Sequence, residues 1–172
     1  MELYKVHTQI LMPFVNETVS ALKNMADLEG APGTGRQQTV AEFPHHGYAV
    51  CVVAKTFGEI EGKVLMHHTD DTALEIGNRV RSKMLGENSQ SEEINDDVSE
   101  ALTEFSNTII GLATRALRDS NLRITFSPPI FIGNAQDMDF IMDGVVEILS
   151  IPIKVNGTGE FSFSYLLHRK TK

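Results

Sequence analysis

Val98-Ser-Glu-Ala-Leu-Thr-Glu104-Phe-Ser-Asn107-Thr-Ile-Ile-Gly111-Leu-Ala-Thr-Arg-Ala-Leu117 is the stretch from which the rest of the chain is best understood. At about 3.6 residues per turn, Val98, Ala101, Leu102, Phe105, Ile109, Leu112 and Ala116 form one apolar stripe. Glu100, Thr103, Glu104, Asn107, Gly111, Thr114 and Arg118 form the opposite stripe. Glu104 and Asn107 then stand one turn apart, roughly 4.5 Å along the axis, on the side a packed helix turns to water. A carboxylate and a carboxamide facing outward from an anchored helix can act on another molecule. They are badly placed to act on a substrate buried in their own chain.

Working outward, a preceding helix is predicted with Asp70 or Asp71 as N-cap and Leu74, Gly77, Val80, Arg81 and Met84 on its inner side. Gly86 stops it, and the acidic stretch Glu87–Asp97 is a solvated loop. Further back, two strand-like runs, Gly47–Thr56 and Gly62–His68, read as a hairpin. A first helix is expected from about His7 to Leu28, with Leu11, Phe14, Val15, Thr18, Leu22 and Met25 on one face. Glu29–Gly35 holds three glycines and a proline and is assigned to a loop. Beyond the central helix, Arg123–Ile132, Glu147–Val155 and Phe161–Leu167 read as strands, the last two joined by the turn Asn156–Gly159. This order predicts an α+β fold in one domain over 1–172, with helices packed on a largely antiparallel sheet.

The chain has 172 residues, 41% of them hydrophobic, enough for one domain with a real core. Its 23 acidic and 15 basic residues give a net charge of -8, which argues against nucleic-acid binding and fits protein partners. No apolar run approaches the roughly 18 residues that span a bilayer. The start, Met1 to His7, lacks the basic flank and apolar core of a signal peptide, and the expectation is a cytoplasmic protein. Cys51 is the only cysteine, so no internal disulfide can form, and its apolar surroundings predict an inert core thiol.

Other motifs carry less. Gly30-Ala-Pro-Gly-Thr-Gly35 lacks the Lys-Ser/Thr of a phosphate-binding loop and follows a helix instead of a strand. His45-His46 and His67-His68 suggest metal binding, but strand neighbours point to opposite faces and no cysteine or third histidine stands at ligand spacing. Solvent-facing or partly satisfied histidines are expected, with no metal site. Glu75-Ile-Gly-Asn78 repeats the Glu-x-x-Asn spacing on the preceding helix, with Asp71 one turn earlier. Spacing alone does not separate it from Glu104–Asn107, and a solvated helix face accounts for either pair. No Ser-His-Asp or Cys-His arrangement emerges.

Three segments, Met84-Leu-Gly-Glu87, Asn95-Asp-Asp-Val98 and Glu104-Phe-Ser-Asn107-Thr-Ile-Ile-Gly111, closely resemble the CheX branch of the CheC/CheX/FliY phosphatases. So do Pro13-Phe14-Val15 with Thr18 and Val19, the hairpin layout, and Pro128-Pro129-Ile-Phe-Ile-Gly133. The resemblance runs from about residue 10 to 167 and rests on the ordered series of matches more than on any single motif.

It implies a sheet flanked by long helices and hydrolysis of the aspartyl phosphate on a CheY-like receiver domain of a response regulator. Glu104 would contact the receiver's active-site lysine, and Asn107 would orient the attacking water. The family places its motif on the helix after Met-Leu-Gly, which selects Glu104/Asn107 over Glu75/Asn78, although CheC-branch relatives carry two active motifs. Glu100, Thr103 and Gly111 are the expected partner-contacting residues. Gly111 either leaves room for a partner or merely permits helix packing. Many members have Asp or Ser where this chain has Glu100, which adds a negative charge beside the pair. The resemblance further implies a homodimer, no cofactor of the chain's own, and a Mg2+ ion that belongs to the receiver. The alternative is a non-catalytic module that binds receivers or flagellar-switch components through the same helix.

Overall fold

In the computed structural model, residues 6–43, 50–86, 88, 90–119, 123–133 and 137–168 are described. The first helix opens with the wide turn Val6–Leu11 and continues as α1, Met12–Ala26. Pro13 is the second residue of α1, so its missing N–H falls where the wide turn gives way to the α-helix and not, as expected, at a free helix start. Asp27, at φ 55°, ends it by donating its N–H to Leu22 O. All six apolar-face residues named above, Leu11 to Met25, are buried.

Eight strands form one sheet: β1 Gly30–Pro32, β2 Arg36–Gln38, β3 Val50–Gly58, β4 Gly62–His68, β5 Ile124–Phe126, β6 Ile130–Ile132, β7 Val145–Val155 and β8 Gly159–His168. The order is β1-β7-β8-β4-β3-β5, with β2 also on β7 and β6 also on β3, and every described pairing is antiparallel. The remaining helices are α2 Asp70–Val80, α3 Asp96–Asp119 and α4 Asp137–Met142. The fold is α+β, as expected. Among the described residues no helix is long and apolar enough to cross a membrane.

Several expectations need correction. The segment assigned to a loop after α1 supplies β1: Gly30 pairs with Val155 and Pro32 with Ile153. Backbone pairing to the exposed edge of β7 overrides the glycine and proline content, and proline is tolerated because this strand is itself an edge. The single strand expected over Arg123–Ile132 is two, split at Ser127-Pro128-Pro129, and both lie along β3. Ser127 spans the break, donating its N–H to Lys55 O and accepting from Lys55 N through Oγ, each at 2.9 Å. The short α4 was not anticipated; six residues are too few for a periodic signal.

The helix α2 begins one residue earlier than expected, with Thr69 Oγ1 accepting from Thr72 N as its cap. Its inner side is Ala73, Ile76, Gly77, Val80 and Arg81. Met84, assigned to that side, is 54% exposed. The chain switches to a wider turn over Arg81–Leu85, which swings Met84 off the 3.6-residue stripe. Gly86, at φ 69°, closes that turn with its N–H on Arg81 O, as its position predicted.

The sheet is covered on both faces. Against one lie α1, α2 and α3, sealing Phe14, Phe105, Phe161, Phe163 and Tyr165 with their neighbours. On the other, Phe43 and α4 residues Met138, Ile141 and Met142 pack over Cys51, Leu65 and Leu166. Hence all seven residues of β4 are buried, so that of the two alternatives expected for His67 and His68 the solvent-facing one fails and the partly satisfied one holds for His67. His67 packs edge-on to Phe43 and bonds Ser164 Oγ at 2.8 Å. His68 stacks on its cross-strand neighbour Phe161, ring centroids 4.6 Å apart. Burial lowers both imidazoles to about 3. Cys51 touches Met138 through sulfur, and burial pushes its thiol up to about 12, so it is a core residue as expected.

Candidate functional site

The longest helix, α3, is anchored along one side. Asn95 caps it, Oδ1 accepting from Val98 N at 3.1 Å. Val98, Ala101, Leu102, Phe105, Ile109, Ala113 and Leu117 are its buried stripe. The last two replace Leu112 and Ala116 of the expected stripe, because over 20 residues a straight helix drifts relative to a fixed repeat. Burying Phe105 and Ile109 contributes about 2–3 kcal/mol each before entropy is subtracted. Gly77 lets α2 approach closely: a Cβ there would lie 2.7 Å from Val98 Cγ1.

That anchoring leaves one face of α3 open. Glu100, Glu104, Asn107 and Gly111 are all exposed. Among the described residues Glu104 and Asn107 have no hydrogen-bond or ion-pair partner within the chain. Thr103 is half-buried and bonds back to Ser99 O at 2.8 Å, leaving its hydroxyl committed to the helix. Nothing lies within 4 Å of a Cβ built on Gly111. Between the two readings of Gly111, helix packing within the chain is therefore out, and open surface is what it provides.

The second Glu–Asn pair is placed differently. Glu75 is half-buried and holds Arg79 at 2.8 Å. Asn78 is buried and bonds the backbone of Ser91 in both directions. Ser91 Oγ also accepts from Arg81, whose buried guanidinium reaches Asp97 at 3.2 Å. The carboxamide of Asn78 thus ties the loop before α3 and is buried there, whereas that of Asn107 is exposed. The Glu75–Asn78 spacing says none of this, since partners thirteen residues away are invisible to periodicity.

Glu104 lies at one end of a cleft of about 350 Å3, with Met84 and Leu85 across from Glu100 and Thr103. Sequence reasoning passed over Met84 and Leu85 as site residues. Among the described residues no group of three His, Cys, Asp or Glu could hold a metal ion. His67 and His68 diverge to opposite sides of the sheet; His45 and His46 lie outside the described residues.

An outward Glu–Asn pair can dock on a cation and hold a water at a foreign electrophile. Comparison with known proteins agrees in family. Residues 50–154, well over half the chain and inclusive of the Glu–Asn helix, match the family described as chemotaxis phosphatase CheX. No curated protein sequence matches. Solved structures share the fold. A CheC-like superfamily protein from Shewanella sp. PV-4 superposes with TM-score 0.71 at 20% identity, over 94% of this chain and 99% of that one. A chemotaxis protein CheX from Desulfovibrio desulfuricans gives 0.70 at 24%, over 92% and 99%. The CheX of a CheX–CheY–BeF3–Mg complex from Borrelia burgdorferi gives 0.69 at 21%, over 93% and 98%. The chain belongs to the CheX family.

Proposed function

We propose that this member of the CheX family hydrolyses the aspartyl phosphate of a CheY-like receiver domain, with Asn107 orienting the water and Glu104 docking on the receiver's lysine. One observation carries the reading: Glu104 and Asn107 stand exposed and uncommitted, one turn apart, on a helix whose other side is locked into the core. The Borrelia burgdorferi relative, solved with CheY, supports the class of partner.

A carboxamide is not basic near neutral pH, so Asn107 acts by position. Its oxygen accepts a hydrogen bond from the water and its NH2 donates one to the phosphoryl group. The water oxygen bonds to phosphorus in line as the bond from phosphorus to the aspartyl oxygen breaks. The aspartate leaves as carboxylate with the bonding electron pair, and the water's protons pass to the phosphate and solvent. Phosphoryl transfer asks for this positioning more than for proton abstraction. Glu104 sets the register through a charge-assisted contact. Gly111 leaves room for the receiver on one side of the pair and exposed Glu100 offers a further carboxylate on the other, whereas Thr103 contributes only as part of the surface. On this reading the chain needs no cofactor, and the magnesium ion is the receiver's.

The experiment follows the decay of phosphorylated receivers with and without the chain. Asn107→Ala should abolish acceleration, and Glu104→Ala should chiefly raise KM. Full activity in Asn107→Ala refutes the role. Saturable binding with an unchanged phosphate lifetime would instead establish a non-catalytic receiver-binding module. Pairing of two copies belongs to the same reading and is supported by short sheet-edge strands such as β6, where Ile130 is 58% exposed. A single-chain mass by sedimentation at working concentration would rule it out.

A further inference from the structure

Met84 and Leu85 pose a problem that the Glu–Asn pair does not answer. Two consecutive large apolar side chains stand 54% and 65% exposed on a turn whose first residue is anchored beneath it. Buried Arg81, in that same turn, is bound to Ser91 and Asp97, and Gly86 closes the turn behind Leu85. A well-fixed apolar ledge of this kind marks an interaction site more often than a lapse in folding. It faces a cleft of about 350 Å3 whose opposite wall is the first half of α3, with Glu100 and Glu104 on that wall. Glu100 and Glu104 are four residues apart on one helix face, and among the described residues neither is paired within the chain. The cleft, whose lining also holds the Arg81–Asp97 ion pair, thus offers apolar contact from Met84 and Leu85 and two further carboxylates, those of Glu100 and Glu104, without a partner among the described residues.

We infer that this cleft is a second contact for the receiver: Met84 and Leu85 seat an apolar side chain, and Glu100 takes a lysine or arginine beside it. The inference rests on the proposed phosphatase reading, because the partner reaching Glu104 necessarily covers the end of the cleft that Glu104 lines. Charge selects the occupant. An acidic rim on a chain of net charge -8 repels a second copy and favours a partner surface that presents a cation next to an apolar group. A receiver lysine at the phosphorylation site is common ground among receivers, so contact with Glu104 does not distinguish them. Contacts in the cleft can: Glu100, which stands where many members have Asp or Ser, is therefore the specificity-determining residue, and Met84 and Leu85 are the apolar anchors beside it.

The test uses the full chain and a set of phosphorylated receivers, taking steady-state kcat and KM for each receiver it dephosphorylates. M84A/L85A should raise KM about tenfold with kcat within about twofold, the scale of losing apolar anchors at an interface. M84L/L85M should restore KM, and E100K should reorder the preference among receivers and weaken the dependence on salt. Because both side chains are exposed, a thermal melt close to the parent's is expected for M84A/L85A. Parent activity abolished by Asn107→Ala, with KM unmoved by M84A/L85A, overturns this inference and leaves the phosphatase reading intact. Absence of accelerated decay for every receiver overturns both. A KM unchanged while a dimer dissociates in M84A/L85A would assign the cleft to self-association and equally overturn it.

Discussion

Asn78 holds Ser91 by both ends of its carboxamide, donating Nδ2 to the backbone oxygen and accepting from the backbone N–H, each at 2.9 Å. Asn107, also three residues after a glutamate on a helix, has no such partner among the described residues. The same short motif therefore does two different things. In α2 it staples the loop that starts α3, and in α3 it stands exposed with no partner among the described residues.

Asn78→Ala should cost about 1–3 kcal/mol, because it strands two partly buried backbone groups of Ser91. Asn107→Ala should change stability by no more than about 0.5 kcal/mol, as for other exposed sites. Urea midpoints of the two variants check this. A comparable loss in both would make Asn107 structural and remove it from the site.

Gly77 and Gly111 should respond oppositely to alanine. At Gly77 the new Cβ meets Val98 Cγ1 at 2.7 Å and Val98 O at 3.3 Å, and a β-branched side chain has little freedom to yield. Overpacking of about 1–3 kcal/mol then exceeds the helix gain. At Gly111 nothing stands within 4 Å, so Gly111→Ala should stabilise by up to about 1 kcal/mol. Thermal melts with opposite shifts are expected. A rise for Gly77→Ala would mean that α2 and α3 are packed less closely than they stand here.

Stability should fall on mild acidification. Burial holds His68, and burial with the neighbouring His68 charge holds His67, at about 3 when folded. Unfolded imidazoles protonate near 6.5. Above that pH neither state takes up these protons and the contribution is flat. Between about 6.5 and about 3 only the unfolded chain binds them, so stability declines by up to roughly 1.4 kcal/mol per pH unit for each histidine. His68→Phe keeps a ring against Phe161 and removes one titration. Its urea midpoint should drop less than the parent's between pH 7.5 and pH 5.5. Identical slopes would show that His68 is not excluded from water.

Legibility from sequence followed the range of the interactions. The buried faces of α1 and of the first four turns of α3 were readable because period and burial coincide locally, from Leu11 to Met25 and from Val98 to Ile109. The hairpin of β3 and β4 was readable for the same reason. The strand β1 was not, since Gly30-Ala-Pro becomes a strand only by pairing with β7, more than a hundred residues on. That neither His67 nor His68 faces solvent was not readable, because layers distant in sequence cover both sheet faces: Phe43 and α4 over His67, the long helices over the side where His68 stacks on Phe161. The displaced Met84 depended on a widened turn that no residue type announces.

By itself the sequence determined the class of fold, the amphipathic long helix, and the side of it on which Glu104 and Asn107 stand, because helical periodicity converts spacing directly into facing. Only the tertiary structure showed how differently the two Glu–Asn pairs are placed, one carboxamide buried on a loop and the other exposed. Each pair has the same geometry along its own helix, and what differs is whether a distant backbone, that of Ser91, has already claimed the carboxamide. Hydrogen-bond satisfaction across loops is a property of the folded chain, and no periodicity carries it.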